Sequence, residues 1–308
     1  MLKSKLISKT KSNPGQQLRA QADKAQGGLP ALLLEAEHVA ASVLQGVHGR
    51  KRSGQGESFW QFRDYQTGDP PGWIDWRQSG RSDKVLVRET EWEASQTLSF
   101  WCDTSQSMDF ASDPNLPTKL WSAQVLTLAL SSLALRAQEQ VGLLGDKIRP
   151  TSNRSVLDRM GQTLLSPSVG SPLDNLPPIL GLKRHSQAIW ISDFFESIDQ
   201  VRKTMMIFAN KGIKGLLIEV HDPAELELSF SGRVRFTDSE SASACTLSNV
   251  EDVRKAYQEK LSEHRAVLQR EAKAVGWTLI SHRTDQAINQ AASDAFLKLS
   301  THYRNSGI

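Results

Sequence analysis

The stretch Phe100-Trp-Cys-Asp-Thr-Ser-Gln-Ser-Met-Asp109 decides how the rest of the chain is read. Thr97 to Cys102 is an apolar run of strand length, and it stops on Asp103-Thr-Ser105-Gln-Ser107. An acid and two hydroxyls at alternating positions then project from the loop that follows the strand. Such a loop offers hard oxygen ligands to a divalent cation while leaving other coordination positions open. The DxSxS spacing by itself arises often by chance in serine-containing chains. Its place between an apolar strand and an apolar helix makes it more specific.

On the C-terminal side the pattern alternates between strand and helix. The periodicity predicts a helix from about Thr118 to Ala137, apolar on nearly every side and so destined for the interior. Val141–Gly145 reads as a strand, 155–164 as a weak helix and 166–172 as a Pro/Ser/Gly loop. Ala188–Ser192 is a strand, 198–211 a helix and Ile213–Val220 a further strand. Residues 226–247 alternate around Ser231-Gly232, which predicts a hairpin. Ser248-Asn-Val-Glu251 has the spacing of a capping box opening a long helix to Gly276. Trp277–Ser281 is the last strand, and a helix follows Asp285.

Strand and helix alternating in this way argue for an α/β fold, a parallel sheet covered by helices on both faces. Ligands of such sheets bind beyond the carboxyl ends of the strands. Asp103, Ser105 and Ser107 follow one strand, Ser192-Asp193 a second, His221-Asp222-Pro-Ala-Glu225 a third and His282-Arg-Thr-Asp285 a fourth. Parallel strands place all four groups on one rim. Asp193 can then supply a second carboxylate. His221 and Asp222 read first as polar residues ending a strand before Pro223, and Thr284 and Asp285 as helix caps.

On the N-terminal side, residues 1–28 lack periodicity and end on Gly27-Gly28, which predicts a disordered basic leader. A helix is expected over Leu29–Gln45, stopped by Gly46 and Gly49. Gly49-Arg-Lys-Arg-Ser-Gly-Gln-Gly56 is a basic glycine-rich connector without phosphate-loop spacing. Residues 57–93 hold Trp60, Trp73, Trp76 and Trp92, half of the eight tryptophans, so this is folded structure. Short strands joined by a turn at Asp69-Pro-Pro-Gly72 are expected there, with Arg63, Arg81 and Arg88 among Asp64, Asp69, Asp75 and Glu89. The organisation read from sequence is a leader over 1–28, a helix plus β-rich extension over 29–93, and an α/β domain over 94–308.

The net charge of +3 is concentrated in that leader, which carries six of the 37 basic residues and one of the 34 acidic ones. The remainder is slightly acidic, which gives no support to a nucleic-acid function. Two cysteines, Cys102 and Cys245, are too few for a disulfide framework or a zinc site and suit a reducing compartment. The longest charge-free run, Leu120 to Leu135, contains Gln124 and several serines and falls short of the roughly 20 apolar residues of a membrane helix. No signal-peptide h-region is present. A cytoplasmic location is expected.

With these segments in hand, the chain resembles the von Willebrand factor A-like proteins of the domain of unknown function 58 family, from about Leu29 to the end. Gly54-Gln-Gly-Glu-Ser-Phe-Trp-Gln-Phe-Arg-Asp-Tyr-Gln-Thr-Gly-Asp69 and Trp73-Ile-Asp-Trp-Arg-Gln-Ser-Gly-Arg81 resemble its signature segment. Asp103-Thr-Ser-Gln-Ser-Met108, Val141-Gly-Leu-Leu144, Ile191-Ser-Asp-Phe194 and Asp222-Pro-Ala-Glu225 match in order. The resemblance implies a Rossmann-like sheet of the von Willebrand factor A type. It also implies a metal-ion-dependent adhesion site, with Asp103, Ser105 and Ser107 as first-loop ligands and Asp193 as the third-loop acid. The second-loop threonine has no clear counterpart, and Ser171 in Val-Gly-Ser-Pro-Leu-Asp174 stands in its place. The ion implied is Mg²⁺, or Mn²⁺ or Ca²⁺. Asp69-Pro-Pro-Gly-Trp73 departs from the family, whose members usually carry a second acid and an arginine there. The implied partners are a MoxR-type AAA+ ATPase and an acidic client segment.

The expected function is therefore a non-enzymatic, metal-dependent protein-binding module, an adaptor or chaperone component. Two readings compete with it. A metal-dependent hydrolase or phosphatase would act through Asp103 or a rim serine, with His221 or His282 as base. A haloacid-dehalogenase-type phosphatase needs DxD, however, and Ser105 stands at the second position; GxSxG and HExxH are absent. The other reading is a structural domain with a degenerate metal site.

Overall fold

The computed structural model describes residues 14–48, 59–67, 69–90, 96–146, 148–166, 176–179, 183–184, 186–237 and 244–304. The basic loop 49–56 and Ser171 lie outside them, as do residues 1–13. The chain forms two compact units, one running up to Gly46 and resuming at Gln96, the other spanning Val47–Ser95.

The larger unit is built on five strands. These are β3 (Thr97–Cys102), β4 (Gln140–Leu143), β5 (Gln187–Ser192), β6 (Lys214–His221) and β9 (Thr278–Arg283), in the order β4-β3-β5-β6-β9. Every pairing is parallel, so the sheet is the parallel one expected. A parallel sheet needs apolar residues on both faces, and all six residues of β5, the central strand, are buried. Pairing of Cys102 with Ile191 ends β3 and β5 within a residue of each other, while β6 and β9, paired at His221 and Arg283, run two residues beyond Ser192 and its partner Glu219.

One face is covered by α3 (Lys119–Arg136), α4 (Val156–Leu165) and α8 (Ile288–Arg304). Helix α3 is buried around nearly its whole circumference, and two of its interior hydroxyls are satisfied within the helix. Thr127 Oγ1 donates to the Ala123 carbonyl at 2.8 Å and Ser131 Oγ to the Thr127 carbonyl at 2.7 Å. Thr118 caps the helix by accepting from the Trp121 N–H at 3.1 Å. The other face is covered by α5 (Ile198–Asn210) and α7 (Glu251–Ala274). There Trp190 stands edge-on to Trp277 and Phe208, with ring centroids 4.7 and 5.0 Å apart. Each edge-to-face pair contributes about 0.5–1.5 kcal/mol beyond its area. Trp277 lies directly over Gly215 of β6, where a Cβ would come within 2.1 Å of the indole.

The first helix, α1 (Pro14–His48), starts well before Leu29. The leader expected to be disordered over 1–28 is thus helical from Pro14, where proline at the start of a helix costs nothing and Gln, Ala, Leu, Arg and Lys favour the conformation. The helix also belongs with the sheet unit and not with the Trp-rich segment. Leu32, Ala36, Val39, Ala40 and Val43 form a buried stripe, while Leu34 on the opposite side is 74% exposed. Glu37 accepts from Ser132 Oγ at 2.7 Å and pairs with Arg136 and Arg154 at 2.6 and 3.0 Å.

Two local expectations fail. The hairpin does not turn at Ser231-Gly232. Asp222 and Glu225 instead form a capping box that opens a short helix, α6 (Pro223–Glu227). The antiparallel pair is β7 (Val234–Thr237) with β8 (Ala244–Leu247). Nor does Ser248 cap α7: its first turn has no side-chain cap, and the Glu251 carboxylate accepts from the Gly232 N–H at 3.1 Å.

The smaller unit pairs β1 (Phe59–Asp64) with β2 (Leu86–Thr90) antiparallel. Between them lie a 3₁₀ turn (Pro71–Trp73) and one turn of helix, α2 (Trp76–Ser79), capped by Asp75. Arg63 forks onto both oxygens of Asp69 at 2.6 and 2.7 Å and holds that carboxyl down at about 2. Lys84 pairs with Asp64 at 2.7 Å, so both of these ion pairs lie within the segment itself.

Candidate metal centre

Strand β3 delivers Asp103 to the rim at 2% exposure, its N–H donating to the Ile191 carbonyl of β5 at 2.9 Å. One oxygen, Oδ1, accepts from the Ser105 N–H at 2.8 Å, which folds the loop back over the carboxylate. The other, Oδ2, accepts from Ser192 Oγ at 2.7 Å. The hydroxyls of Ser105 and Ser107 are 2.7 Å apart. Buried Met108 anchors the loop, and its carbonyl accepts from the Leu120 N–H at 2.7 Å. The two loop hydroxyls and Asp103 are thereby fixed to the start of α3.

Asp193 follows β5. The next residue, Phe194, has φ of 51° and is fully packed, with its N–H donating to Ser192 Oγ at 3.1 Å. A left-handed phenylalanine costs about 1–2 kcal/mol, and here it turns the chain sharply after the strand. The turn brings Glu196 back: one ligand oxygen from each of Asp103, Asp193 and Glu196 lies within 4.8 Å of the others, and all three residues are buried.

The charge of this cluster is offset from beneath. Lys119, the first residue of α3, is fully buried and bridges Asp193 Oδ2 at 2.8 Å and Glu225 Oε1 at 2.6 Å. Its ammonium also lies 5.4 Å from the centre of the Phe195 ring. Burial disfavours the Lys119 charge, but the two carboxylates outweigh it and hold the ammonium above its ordinary range. Asp193 feels the converse: burial raises it, and Lys119 overrides burial and keeps it low. Burial pushes Glu225 up against the same ammonium. Asp103 has no such partner, and burial together with the Asp193 charge raises it to about 6.

Of the residues expected from sequence, Asp103, Ser105, Ser107 and Asp193 stand together on the rim, while Ser171 lies outside the described residues. Glu196 and Lys119 were not anticipated. Glu196 had a readable signal, an acid three residues after one that ends a strand. Lys119 had another, a cation in the first turn of a helix, where the macrodipole disfavours it. Asp222 is a helix cap, with Oδ1 accepting from the Ala224 N–H at 2.8 Å and Oδ2 from the Ser112 N–H at 2.9 Å. Among the described residues neither the Thr284 nor the Asp285 side chain hydrogen-bonds the first turn of α8. Asp285 pairs with Arg283 at 2.8 Å, and Thr284 Oγ1 is buried without a hydrogen bond among the described residues. His221 Nε2 lies 2.8 Å from Glu219, a carboxylate that Arg265 also holds. Among the described residues neither His221 nor His282 hydrogen-bonds Asp103 or a rim serine.

A model of the family described as "Protein of unknown function DUF58" matches residues 61–267, most of the chain and parts of both units. The chain belongs to the DUF58 family. Uncharacterized proteins of Mycobacterium tuberculosis and Mycobacterium bovis are 28% identical to the DUF58 chain over 289 residues, covering 89% of it and 90% of themselves. Among solved structures, the conserved hypothetical protein BatB of Bacteroides thetaiotaomicron is 17% identical with a TM-score of 0.41, covering 67% of the DUF58 chain and 100% of its own. An aerotolerance-related membrane protein of Bacteroides fragilis is 15% identical with a TM-score of 0.37, covering 66% and 98%. At these scores neither structural likeness bears on the site. No described helix of the DUF58 chain is long and apolar enough to cross a membrane.

Proposed function

We propose that this chain is a non-enzymatic, divalent-metal-dependent protein-binding module on a Rossmann-like sheet of the von Willebrand factor A type. The observation that carries the reading is the gathering of Asp103, Asp193 and Glu196 within 4.8 Å beside the Ser105 and Ser107 hydroxyls. The donor set is oxygen throughout, which fits a hard cation such as Mg²⁺, Mn²⁺ or Ca²⁺ and not a thiolate-seeking metal. Asp103, Ser105, Ser107 and Asp193 would hold the ion, with Glu196 as an added acid and Ser171 as the remaining family position. A bound dication supplies a Lewis-acidic position that a partner's carboxylate can complete. The chain's own residues do the rest: Ser192 and the Ser105 N–H orient Asp103, and Lys119 fixes Asp193 while keeping the cluster's net charge moderate. By its family resemblance the module works in the cytoplasm as an adaptor or chaperone component with a MoxR-type AAA+ ATPase and an acidic client segment.

The test is a titration of Mg²⁺ and Mn²⁺ into the wild type and Asp103→Ala, followed by thermal unfolding. Saturable binding at 100 times Kd stabilises the native state by about 2.7 kcal/mol. A rise in Tm in the wild type that is absent from the variant is expected; no rise, or an equal rise in both, refutes the metal site. Capture of a MoxR-type ATPase should need both metal and Asp103, and capture indifferent to a chelator removes the metal from the partner contact.

A further inference from the structure

The two edges of the five-stranded sheet are treated differently. At β4 the edge is covered, because Val141 and Thr151 exchange backbone hydrogen bonds at 3.0 Å in each direction. At β9 no described strand lies beyond the pairing with β6. The Thr284 N–H donates to the His221 carbonyl at 3.0 Å, and this fixes the alternation along β9. Leu279 and Ser281 therefore turn their N–H and C=O groups away from β6. Among the described residues these four groups make no hydrogen bond.

Exposed edges are normally blunted by lysine, proline, a bulge or brevity. Strand β9, Thr-Leu-Ile-Ser-His-Arg, has none of these over six residues in unbroken register, and Arg283 at its end is occupied by Asp285 and Glu227. Beside this edge a trench of about 610 Å³ lies between α7 and the β6–β9 margin. Leu226, Leu261 and Leu279 supply apolar lining, and Gln258, Gln269 and Ser281 supply neutral hydrogen-bonding groups. Its charge is self-contained: Arg265 is bound to Glu219 at 2.8 Å and to Ser281 Oγ at 3.0 Å. Nothing in the trench is left over for a charged guest.

We propose that the β9 edge receives an extended, uncharged segment of a partner polypeptide as an added strand. Its main chain pairs with Leu279 and Ser281, and side chains at alternate positions enter the trench, one apolar group against the leucines. Main-chain pairing gives such docking its affinity and the flanking pocket its specificity. The site is separate from the metal cluster and does not depend on it.

The experiment is a random-peptide phage selection against the full chain in the presence of chelator. Selected peptides are then titrated into the wild type, Ser281→Ala, Ser281→Pro and Ala266→Trp while amide hydrogen exchange is followed. Neutral peptides with alternating apolar residues are expected, slowing exchange at Leu279 and Ser281 at least tenfold. Ser281→Ala, which removes the trench hydroxyl that holds Arg265 but keeps the edge N–H, should weaken binding less than Ser281→Pro does. Ser281→Pro, which removes the same hydroxyl and in addition an outward N–H that a sheet edge can spare, should weaken binding at least tenfold, and so should filling the trench from α7 with Ala266→Trp. Peptides that protect other amides, affinities unchanged in Ser281→Pro and Ala266→Trp, or concentration-dependent protection by a second copy of the chain without peptide would overturn the proposal.

Discussion

Lys119 Nζ lies 2.8 Å from Asp193 Oδ2 with neither side chain exposed to solvent, and the same ammonium holds Glu225. A buried ion pair stabilises little relative to an apolar replacement of all partners, but removing one partner strands the others. Lys119→Met should lose about 3–5 kcal/mol of unfolding free energy in urea melts. Adding Asp193→Asn and Glu225→Gln to it should restore most of that loss. A Lys119→Met chain as stable as the wild type would show that the triad is not electrostatically coupled.

Asp103 carries the opposite strain. Its folded pKa of about 6 lies above the ordinary 3.8 because of burial and the Asp193 charge. Between these values the folded chain binds more protons than the unfolded one, so stability falls as pH rises through the window. In chelator, the stability difference between Asp103→Asn and the wild type should shift toward the variant by about 2–3 kcal/mol from pH 4 to pH 7. A difference flat with pH would mean that Asp103 is not penalised by its site.

His282 gives a separate acid sensitivity away from the cluster. Burial lowers it from 6.5 to about 4. The unfolded chain then takes up a proton first as pH falls, so stability is full above about 6.5 and drains away through about 4. The loss approaches about 3 kcal/mol. His282→Gln should flatten the denaturation profile over that range; a profile as steep as the wild type's places the acid transition elsewhere.

Gly215→Ala tests the packing on the α5/α7 face. The added methyl would meet the Trp277 indole within 2.1 Å, a rigid ring whose Nε1 is tied to the Ile213 carbonyl at 3.1 Å. Overpacking of this kind costs about 1–3 kcal/mol or more, read as a lower urea midpoint. Trp277→Leu in the same background should recover part of it.

Much of the sheet was legible because its signals are local. Strand Thr97–Cys102 was read with the bounds it adopts, and α3 within a residue of each end. The rim followed from parallel strands alone, and it gathered Asp103, Ser105, Ser107 and Asp193. What escaped depended on long-range partners. Lys119 is buried only because Asp193 and Glu225, 74 and 106 residues away, converge on it. Glu196 reaches the cluster through a left-handed Phe194 that no periodicity announces. Ser248 had the right spacing for a capping box, but Gly232 took its Glu251 instead, a tertiary contact overriding a local motif. Pro14–Gly28 was read as disordered because only the later part of α1 shows an apolar stripe.

Helix α1 also sets a schedule for the nascent chain. Its Glu37 is held by Ser132, Arg136 and Arg154, which are translated 95, 99 and 117 residues later. At roughly 5–20 residues per second, the stripe from Leu32 to Val43 waits many seconds on the ribosome with its landing surface not yet made. Throughout that wait its apolar side chains lack the surface that covers them. A shortened polypeptide beginning at residue 94 would inherit the reverse problem, displaying the α3–α4 surface that the helix was meant to close.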